Sequence, residues 1–573
     1  MYNVRCLRVF YESSNTVLMG VVSLMNPLTF KSTNPLLVPQ AEAIVKRLQE
    51  HGYQACFAGG CVRDALRDAP VKDIDIATSA TPEEVAELFP AQSIGVGKSF
   101  GVMLVVLNGI SYDVATFRTD GGYQDGRHPE TITYDTAEHD ALRRDFTVNA
   151  LFYDPLSMKV IDYVGGVDDL KAGILRTVGA PLERFREDRL RLLRAIRFAA
   201  VCGWTIEPET WAAIKTEAPH LGCVSMERIR TEFIRTLCEA PSPSQALTLL
   251  YFSGLLAVFF PELVRLRGCR QDPIWHPEGD VWQHTVKMLE LLPPKRDPEL
   301  VWSVLLHDIG KPDALVVSTK PDGSPWYRTP GHATIGAKLA EPILRRFKES
   351  VATIEHVCTA VRQHMQFVEL PKMRESTLRR MLGRPTIHME LELHRLDCLS
   401  SHAKLDLYHA AKARLEAFAG EPVLPPPALT GKDLVALGYQ PGPKMGAYLK
   451  KAYTRQLEGC DRLTLLSDAL CDAPGHSNRP RRIAFVADVE GNAPLPAAWT
   501  ARTQHPDWDV TLIVLPGTPW EKPLPKMAKL YRVVTDCAGN PDYPAKNAFD
   551  VLIHATGEVA PALLASARHA VAL

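Results

Sequence analysis

The hydrophobic period of this 573-residue chain changes twice, near Pro181 and near Arg479, and those changes limit the folds it can adopt. Before Pro181, short apolar runs at Ala55–Ala58, Ile74–Ala77, Val102–Leu107 and Tyr112–Phe117 read as strands. Helical spacing interrupts them at Pro39–His51, Val62–Leu66 and the Thr81-capped Pro82–Leu88. From Pro181 the apolar spacing is helical through Leu466. Strand-like runs return at Ile483–Val486, Val510–Leu515, Tyr531–Thr535 and Val551–His554. The fold class expected is α+β: a small mixed-sheet head, an all-α neck or body, a further helical domain, and a small α/β unit at the C-terminus.

The boundaries follow from the same pattern. Residues 1–36 read as a tail, with an overlong translation start as the explanation. Residues 37–165 form the head, 166–270 the arginine-rich neck, 276–420 a histidine-bearing helical domain, 428–475 a helical tail after the hinge Pro422–Pro427, and 480–573 the last unit, for which no chemistry is expected. Charged residues at 23 % and hydrophobic residues at 46 % exclude disorder. No run approaches the roughly 18 apolar residues of a membrane span, so no membrane partner is expected. Twelve cysteines without a Cys-x-x-Cys pair fit reduced thiols in the cytoplasm. A formal net charge of -1 means that any nucleic acid must be met by a local basic surface.

Within the head, Gly59-Gly60-x-Val62-Arg63-Asp64 precedes Asp73-Ile74-Asp75. A backbone turn able to approach phosphate therefore lies beside two carboxylates, which share a face if the strand holds both. Hard carboxylate oxygens of this kind hold magnesium with nucleotide phosphates. Asp113 on the next strand offers a third carboxylate, or a partner for Arg118. Arg143-Arg144 can clamp phosphate, or pair with Asp145. In Glu187-Asp188-x-x-Arg191-x-x-Arg194-x-x-Arg197, spacings of three run along one helix face. A carboxylate accepts from an exocyclic amine while a guanidinium donates to a ring nitrogen; cytosine and adenine present that pair, whereas uracil and guanine present the reverse. Asp188 with Arg191 would thus admit CTP and ATP without a template.

These motifs, in this order across residues 37–270, resemble the class II tRNA nucleotidyltransferase (CCA-adding) and bacterial poly(A) polymerase superfamily. The resemblance implies that an RNA 3′-hydroxyl attacks the α-phosphate of CTP or ATP. It implies Mg2+ on Asp73 and Asp75, with Asp113 joining the catalytic set. Gly59, Gly60, Arg63, Arg144, Arg194 and Arg197 would bind triphosphate and ribose, Asp188 and Arg191 would read the base, and the tRNA acceptor arm would be the macromolecular partner. The family's flexible loop has its counterpart in Asp120–His139, which speaks against an enzyme limited to adding CC.

Farther on, His307-Asp308 lies inside the apolar Leu305–Lys311, where neither residue has an obvious partner except a metal or the other. With His284 and Asp397 the pattern is similar to an HD metal-dependent phosphohydrolase domain. His332 and His364 match the extra histidines of its two-metal variants, which implies a divalent transition metal or Mg2+ there. Segments His276–Trp282 and Leu429–Gly446 extend the likeness to about residue 470. The rival readings are a poly(A) polymerase, which needs only ATP, and an HD phosphohydrolase whose head merely binds a regulatory nucleotide.

Overall fold

The computed structural model describes residues 20–23, 28–94, 101–121, 132–437 and 439–472, together with five C-terminal strands between 482 and 572. Much of the expected loop at 120–139, including 125–129, lies outside the described residues, as do 97–100 and the boundary at 479–480. The chain divides into two units: one takes residues up to Met365 and again Met389–Leu405, the other Gln366–His388 and everything from Asp406 onward.

The head is built on an eight-stranded mixed sheet. Its strands are β1 (Gly20–Ser23), β2 (Ala55–Ala58), β3 (Asp75–Thr78), β4 (Ser93–Ile94), β5 (Val102–Leu107), β6 (Ile110–Thr116), β7 (Leu151–Asp154) and β8 (Lys159–Asp162). They run in the order β1-β8-β7-β2-β3-β6-β5-β4, and β3 with β6 is the parallel pair. Helix α1 (Leu37–Glu50) covers the sheet with Ala41, Ile44, Val45 and Leu48, all fully buried at helical spacing. The segment expected to be a tail instead supplies edge strand β1, paired with β8. Farther along that segment, the Phe30 ring lies 5.3 Å from Phe57 and 5.4 Å from Tyr153, so burial of apolar surface ties it to the head.

Helices α3 (Leu190–Cys202) and α4 (Met226–Glu239) form the neck. The histidine-bearing helices are α5 (Val281–Glu290), α6 (Pro298–Leu306), α7 (His332–Arg346), α8 (Val351–Gln363) and α9 (Ile387–Ser400). Neck and histidine helices, expected as separate domains, share one apolar core. Phe233 of α4 stands 5.9 Å from Trp302 of α6 and stacks on Phe347 at 6.3 Å.

The last unit's strands, β9 (Arg482–Val486), β10 (Asp509–Ile513), β11 (Arg532–Val534), β12 (Phe549–His554) and β13 (Ala567–Ala572), pair in parallel in the order β11-β10-β9-β12-β13. Parallel neighbours require crossover connections, the layered pattern expected of an α/β unit. Among the described residues no helix is long and apolar enough to cross a membrane.

Candidate functional site

One wall of a cleft of about 770 Å³ comes from the head. Gly59 ends β2 with φ 72°, and a Cβ there would stand 2.8 Å from the Arg144 guanidinium; glycine is therefore needed for both backbone and space. Gly60 opens helix α2 (Gly60–Leu66), whose Arg63 donates to both Asp64 oxygens and, at 2.6 Å, to Asn149 Oδ1. Asp73 precedes β3 rather than lying in it, because the strand starts at Asp75; Ile74 is buried between two carboxylates that line the cleft, so the alternation survives. The parallel register Ile76 to Val114 sets Asp113 beside Asp75 on the neighbouring strand. Burial, then the like charges of Asp73 and Asp113, raise the Asp75 carboxyl to about 6 against the pull of Arg144. Such mutual repulsion suits a bound cation, which would relieve it.

The other wall is the neck. Of the head and neck residues to which the sequence assigns catalysis or nucleotide binding, Gly59, Gly60, Arg63, Asp73, Asp75, Arg144, Asp188, Arg191, Arg194 and Arg197 line the cleft and Asp113 does not. The alternative offered for Arg143 and Arg144, a pairing with Asp145, is not what the structure has: both arginines are held by the buried Asp140, at 2.6 and 3.0 Å. Asp145 instead takes Arg194 through Nε at 2.9 Å and Nη2 at 2.7 Å. Asp188 does not share a helix face with Arg191 and Arg194. It sits at the break before α3, in extended backbone, where Oδ1 accepts from the Leu190 N–H at 3.0 Å and Oδ2 from Arg228 at 2.9 Å. Arg191 pairs with Glu187, and the buried Arg197 donates to Glu232 at 2.6 Å. The Phe198 ring has the guanidinium carbons of Arg63, Arg194 and Arg197 at 5.0, 5.3 and 4.3 Å from its centroid. Three like charges are thus arranged around one aromatic ring.

A second centre lies among the histidine helices. His307 Nδ1 is 2.9 Å from the Val304 carbonyl, His332 Nδ1 2.8 Å from that of Thr329, and His364 Nδ1 2.7 Å from that of Val361. A carbonyl only accepts, so each Nδ1 carries the proton and each Nε2 presents a lone pair. His284 Nδ1 is likewise fixed by Glu278 at 2.7 Å. The lone-pair nitrogens of His332 and His364 then face one another at 3.1 Å, and His284 Nε2 lies 3.3 Å from His307 Nε2. Two lone pairs so close repel unless a positive centre lies between them, and two nitrogens each ~2.1 Å from one cation stand about this far apart. Asp308 belongs to both groups, with Oδ2 3.1 Å from His307 and Oδ1 3.5 Å from His332. Neither buried oxygen has a well-formed hydrogen bond, although Lys311 Nζ lies 2.7 Å from Oδ2. Asp397 reaches His284 Nε2 at 3.2 Å.

The donor set fits divalent metal on geometry and chemistry alike. Among the described residues, His284-His307-Asp308 and Asp308-His332-His364 each bring three ligand atoms within 4.8 Å, and His276-Glu278-His284 forms a third such group. Burial alone would lower His284, but Asp397 and Glu278 on either side of the ring lift it to about 9; burial and His307 push His364 down to about 3. Gly310 allows this approach, since a Cβ there would meet the His332 carbonyl oxygen at 2.3 Å.

Sequence reasoning missed Asp140, Arg228, Phe198, Glu278 and Lys311. Phe198 and Lys311 adjoin named motifs and carried a local signal; Arg228 lies 40 residues from the Asp188 that it holds and carried none.

Comparison with known proteins agrees with this layout. Residues 55–176 match the poly A polymerase head domain, 203–266 the family described as the probable RNA and SrmB-binding site of polymerase A, and 280–400 the HD domain. The CCA-adding enzyme of Lactobacillus delbrueckii subsp. bulgaricus is 32 % identical over 424 residues, 73 % of this chain and 93 % of that protein. The CCA-adding enzyme of Geobacillus kaustophilus is 45 % identical over 219 residues, 38 % of this chain; the chain spans about half of that relative's length, 54 %. Among solved structures, the Bacillus stearothermophilus CCA-adding enzyme in complex with CTP superposes with a TM-score of 0.56 at 28 % identity, covering 74 % of this chain and 94 % of that one. Head, neck and HD domain therefore occur here in the order and over the extent that define one lineage, and the chain belongs to the family of CCA-adding enzymes.

Proposed function

We propose that this protein is a tRNA nucleotidyltransferase that adds or repairs the 3′-terminal CCA from CTP and ATP, releasing pyrophosphate. The observation that carries this reading is the cleft in which Asp73 and Asp75 share a lining with Asp188, Arg191 and the arginines around Phe198. Asp73 and Asp75, with Asp113 alongside, would hold Mg2+, which when bound activates the attacking hydroxyl and neutralises charge on the leaving group. Arg63, Arg144, Arg194 and Arg197 bind triphosphate and ribose at the turn Gly59-Gly60. Asp64, Asp140, Asp145 and Glu232 hold those guanidinium groups in place before the nucleotide arrives. The tRNA acceptor arm meets the arginine-rich neck and the exposed Lys444, Lys450 and Lys451 of the helix Pro443–Leu457 through phosphate contacts. The reaction is assigned to the cytoplasm, in keeping with nine free thiols among the described residues.

The test is incubation of the full chain and magnesium with tRNA lacking CCA, tRNA ending in CC, and an unrelated RNA, each nucleotide being supplied in turn. Addition of C, C and A that then stops is the expected result. Long adenylate tails on any RNA would make the protein a poly(A) polymerase instead.

Base choice gives a sharper test. Asp188 is held by Arg228 and the Leu190 N–H, leaving its carboxylate to accept the exocyclic amine of cytosine or adenine, while Arg191 donates to the ring nitrogen. Asp188→Ala and Arg191→Ala are expected to reduce the preference for CTP and ATP over UTP and GTP by about 10- to 100-fold, measured as kcat/KM ratios. An unchanged ratio in both variants would remove the base-reading role.

The opposed lone pairs of His332 and His364 at 3.1 Å, beside the shared Asp308, favour a second activity, an HD phosphohydrolase using a divalent transition metal or Mg2+ on His284, His307, Asp308, Asp397, His332 and His364. Bound there, such a metal would polarise a phosphoryl oxygen and lower the pKa of a ligated water. Asp308→Asn is expected to lose most of the metal retained after dialysis, read by elemental analysis, because both ligand groups share that carboxylate. His307→Ala is expected to lose phosphohydrolysis yet keep nucleotide addition; parallel loss of both activities would mean that the centre only braces the fold.

A further inference from the structure

We infer that the neck carries a second RNA subsite, a pocket that takes one unpaired nucleotide with its base against Phe252 and Tyr251 and its phosphate on Arg267. The inference rests on the reading of RNA as substrate. The pocket, about 330 Å³, is lined by Tyr251, Phe252, Arg267, Asp280, Trp282 and Gln283 among others, none of which lines the nucleotide cleft. Its volume is at the lower end of ligand sites, room for one small planar group with its sugar.

The aromatic residues form a continuous wall. The Tyr251 ring lies 5.3 Å from Phe252 and 5.1 Å from Trp282, and Phe252, the last residue of the helix Pro243–Phe252, is 58 % exposed. One exposed phenylalanine is ordinary on any surface. What sets this one apart is Arg267, whose guanidinium carbon lies 4.6 Å from the Tyr251 centroid and 5.9 Å from that of Phe252. The catalytic-cleft arginines Arg63, Arg144, Arg194 and Arg197 are each tied to a carboxylate. The Arg267 side chain, among the described residues, makes neither ion pair nor hydrogen bond, so two rings orient it and its N–H donors are unused. The carboxylate in the pocket lining, Asp280, is turned to backbone: its oxygens accept from Gln283 N at 2.8 Å and Gly268 N at 2.7 Å.

An aromatic face for stacking beside an oriented guanidinium with unused donors is the combination that single-stranded nucleic acid binds. A base stacks without regard to sequence, and the phosphate takes the donors. Tyr251 and Phe252 also fall inside residues 203–266, the stretch matching a probable RNA-binding family. An unpaired nucleotide of the RNA substrate, rather than a protein side chain, is therefore the occupant.

The experiment measures binding of the full chain to a tRNA transcript lacking CCA by fluorescence anisotropy, alongside KM for CTP and ATP. Phe252→Ala and Arg267→Ala are each expected to raise Kd by about fivefold or more, with KM for both nucleotides and the unfolding midpoint unchanged. Arg267→Ala should also flatten the dependence of log Kd on log salt by ~0.7–0.9, and Phe252→Trp should bind like wild type. Wild-type affinity in both alanine variants would overturn the subsite, as would a Phe252→Trp protein that binds as weakly as Phe252→Ala. If the wild type binds tRNA through this pocket but adds neither C nor A, the transferase reading falls and the subsite stands. Normal addition by the wild type, with binding unchanged in the variants, removes the subsite and leaves the transferase reading in place.

Discussion

Asp73→Asn and Asp75→Asn are each expected to slow nucleotide addition by at least about a thousandfold, while Asp75→Asn raises the unfolding midpoint of the metal-free protein at pH 7. The loss of rate follows from removing a carboxylate that would hold the activating cation, several kcal/mol of charge stabilisation in the transition state. The gain in stability has a separate origin. Burial and the neighbouring Asp73 and Asp113 raise Asp75 to about 6, so its charged form is disfavoured in the folded chain. A carboxyl raised on folding lowers stability as pH climbs past its unfolded value toward 6, and a neutral amide at that position removes the penalty above that range. Single-turnover addition and thermal melts in chelator read the two effects independently. Retention of more than a tenth of the rate by both variants would remove these aspartates from the chemistry.

The second large effect falls on stability. Asp145→Ala should destabilise the head and neck by about 3–5 kcal/mol, read from urea unfolding. The Asp145 carboxylate is buried and accepts four hydrogen bonds: Arg194 Nε and Nη2 on Oδ2, and Phe146 N at 2.8 Å and Asn149 Nδ2 at 3.0 Å on Oδ1. Removing it orphans all four donors. Burial would raise this carboxyl, yet Arg194, Asn149 and Arg191 outweigh burial and hold it at about 2. A carboxyl depressed on folding contributes stability that is present above its unfolded value near 4 and is lost as pH falls toward 2. Wild-type stability should thus drop by roughly 2 kcal/mol through that window from this group, and Asp145→Ala should lack that component. Equal pH dependence in the two proteins would overturn the assignment.

The sequence and the structure agree best where chemistry is local. Gly59-Gly60, Asp73-x-Asp75 and His307-Asp308 announce themselves because turn, strand alternation and an apolar helix each act over a few residues. The charge pairing is not legible in this way. Arg194 finds Asp145 from 49 residues away, and Arg143 and Arg144 bypass the adjacent Asp145 for Asp140, one helical turn back, because Asp145 faces the neck. Spacing places Asp188 on a helix face, since spacing alone does not reveal that one helix ends at Glu187 and the next starts at Leu190, whose N–H donates to Asp188. Strand β1 escapes for a similar reason: four residues pair only because β8 presents an open edge.

The route of the chain through the two units bears on how the protein is made. His284, His307, Asp308, His332 and His364 are all synthesised before the chain leaves the first unit at Met365, whereas Asp397 arrives only after the excursion through 366–388 and the return at Met389. The residues that line the cleft are all made by Glu239, and Trp302 and Phe347, on which Phe233 of the neck packs, follow before the histidine centre gains its last carboxylate. The histidine centre closes only when the ribosome has passed Asp397, so a product that ends before it carries every residue of the cleft lining but an open histidine centre.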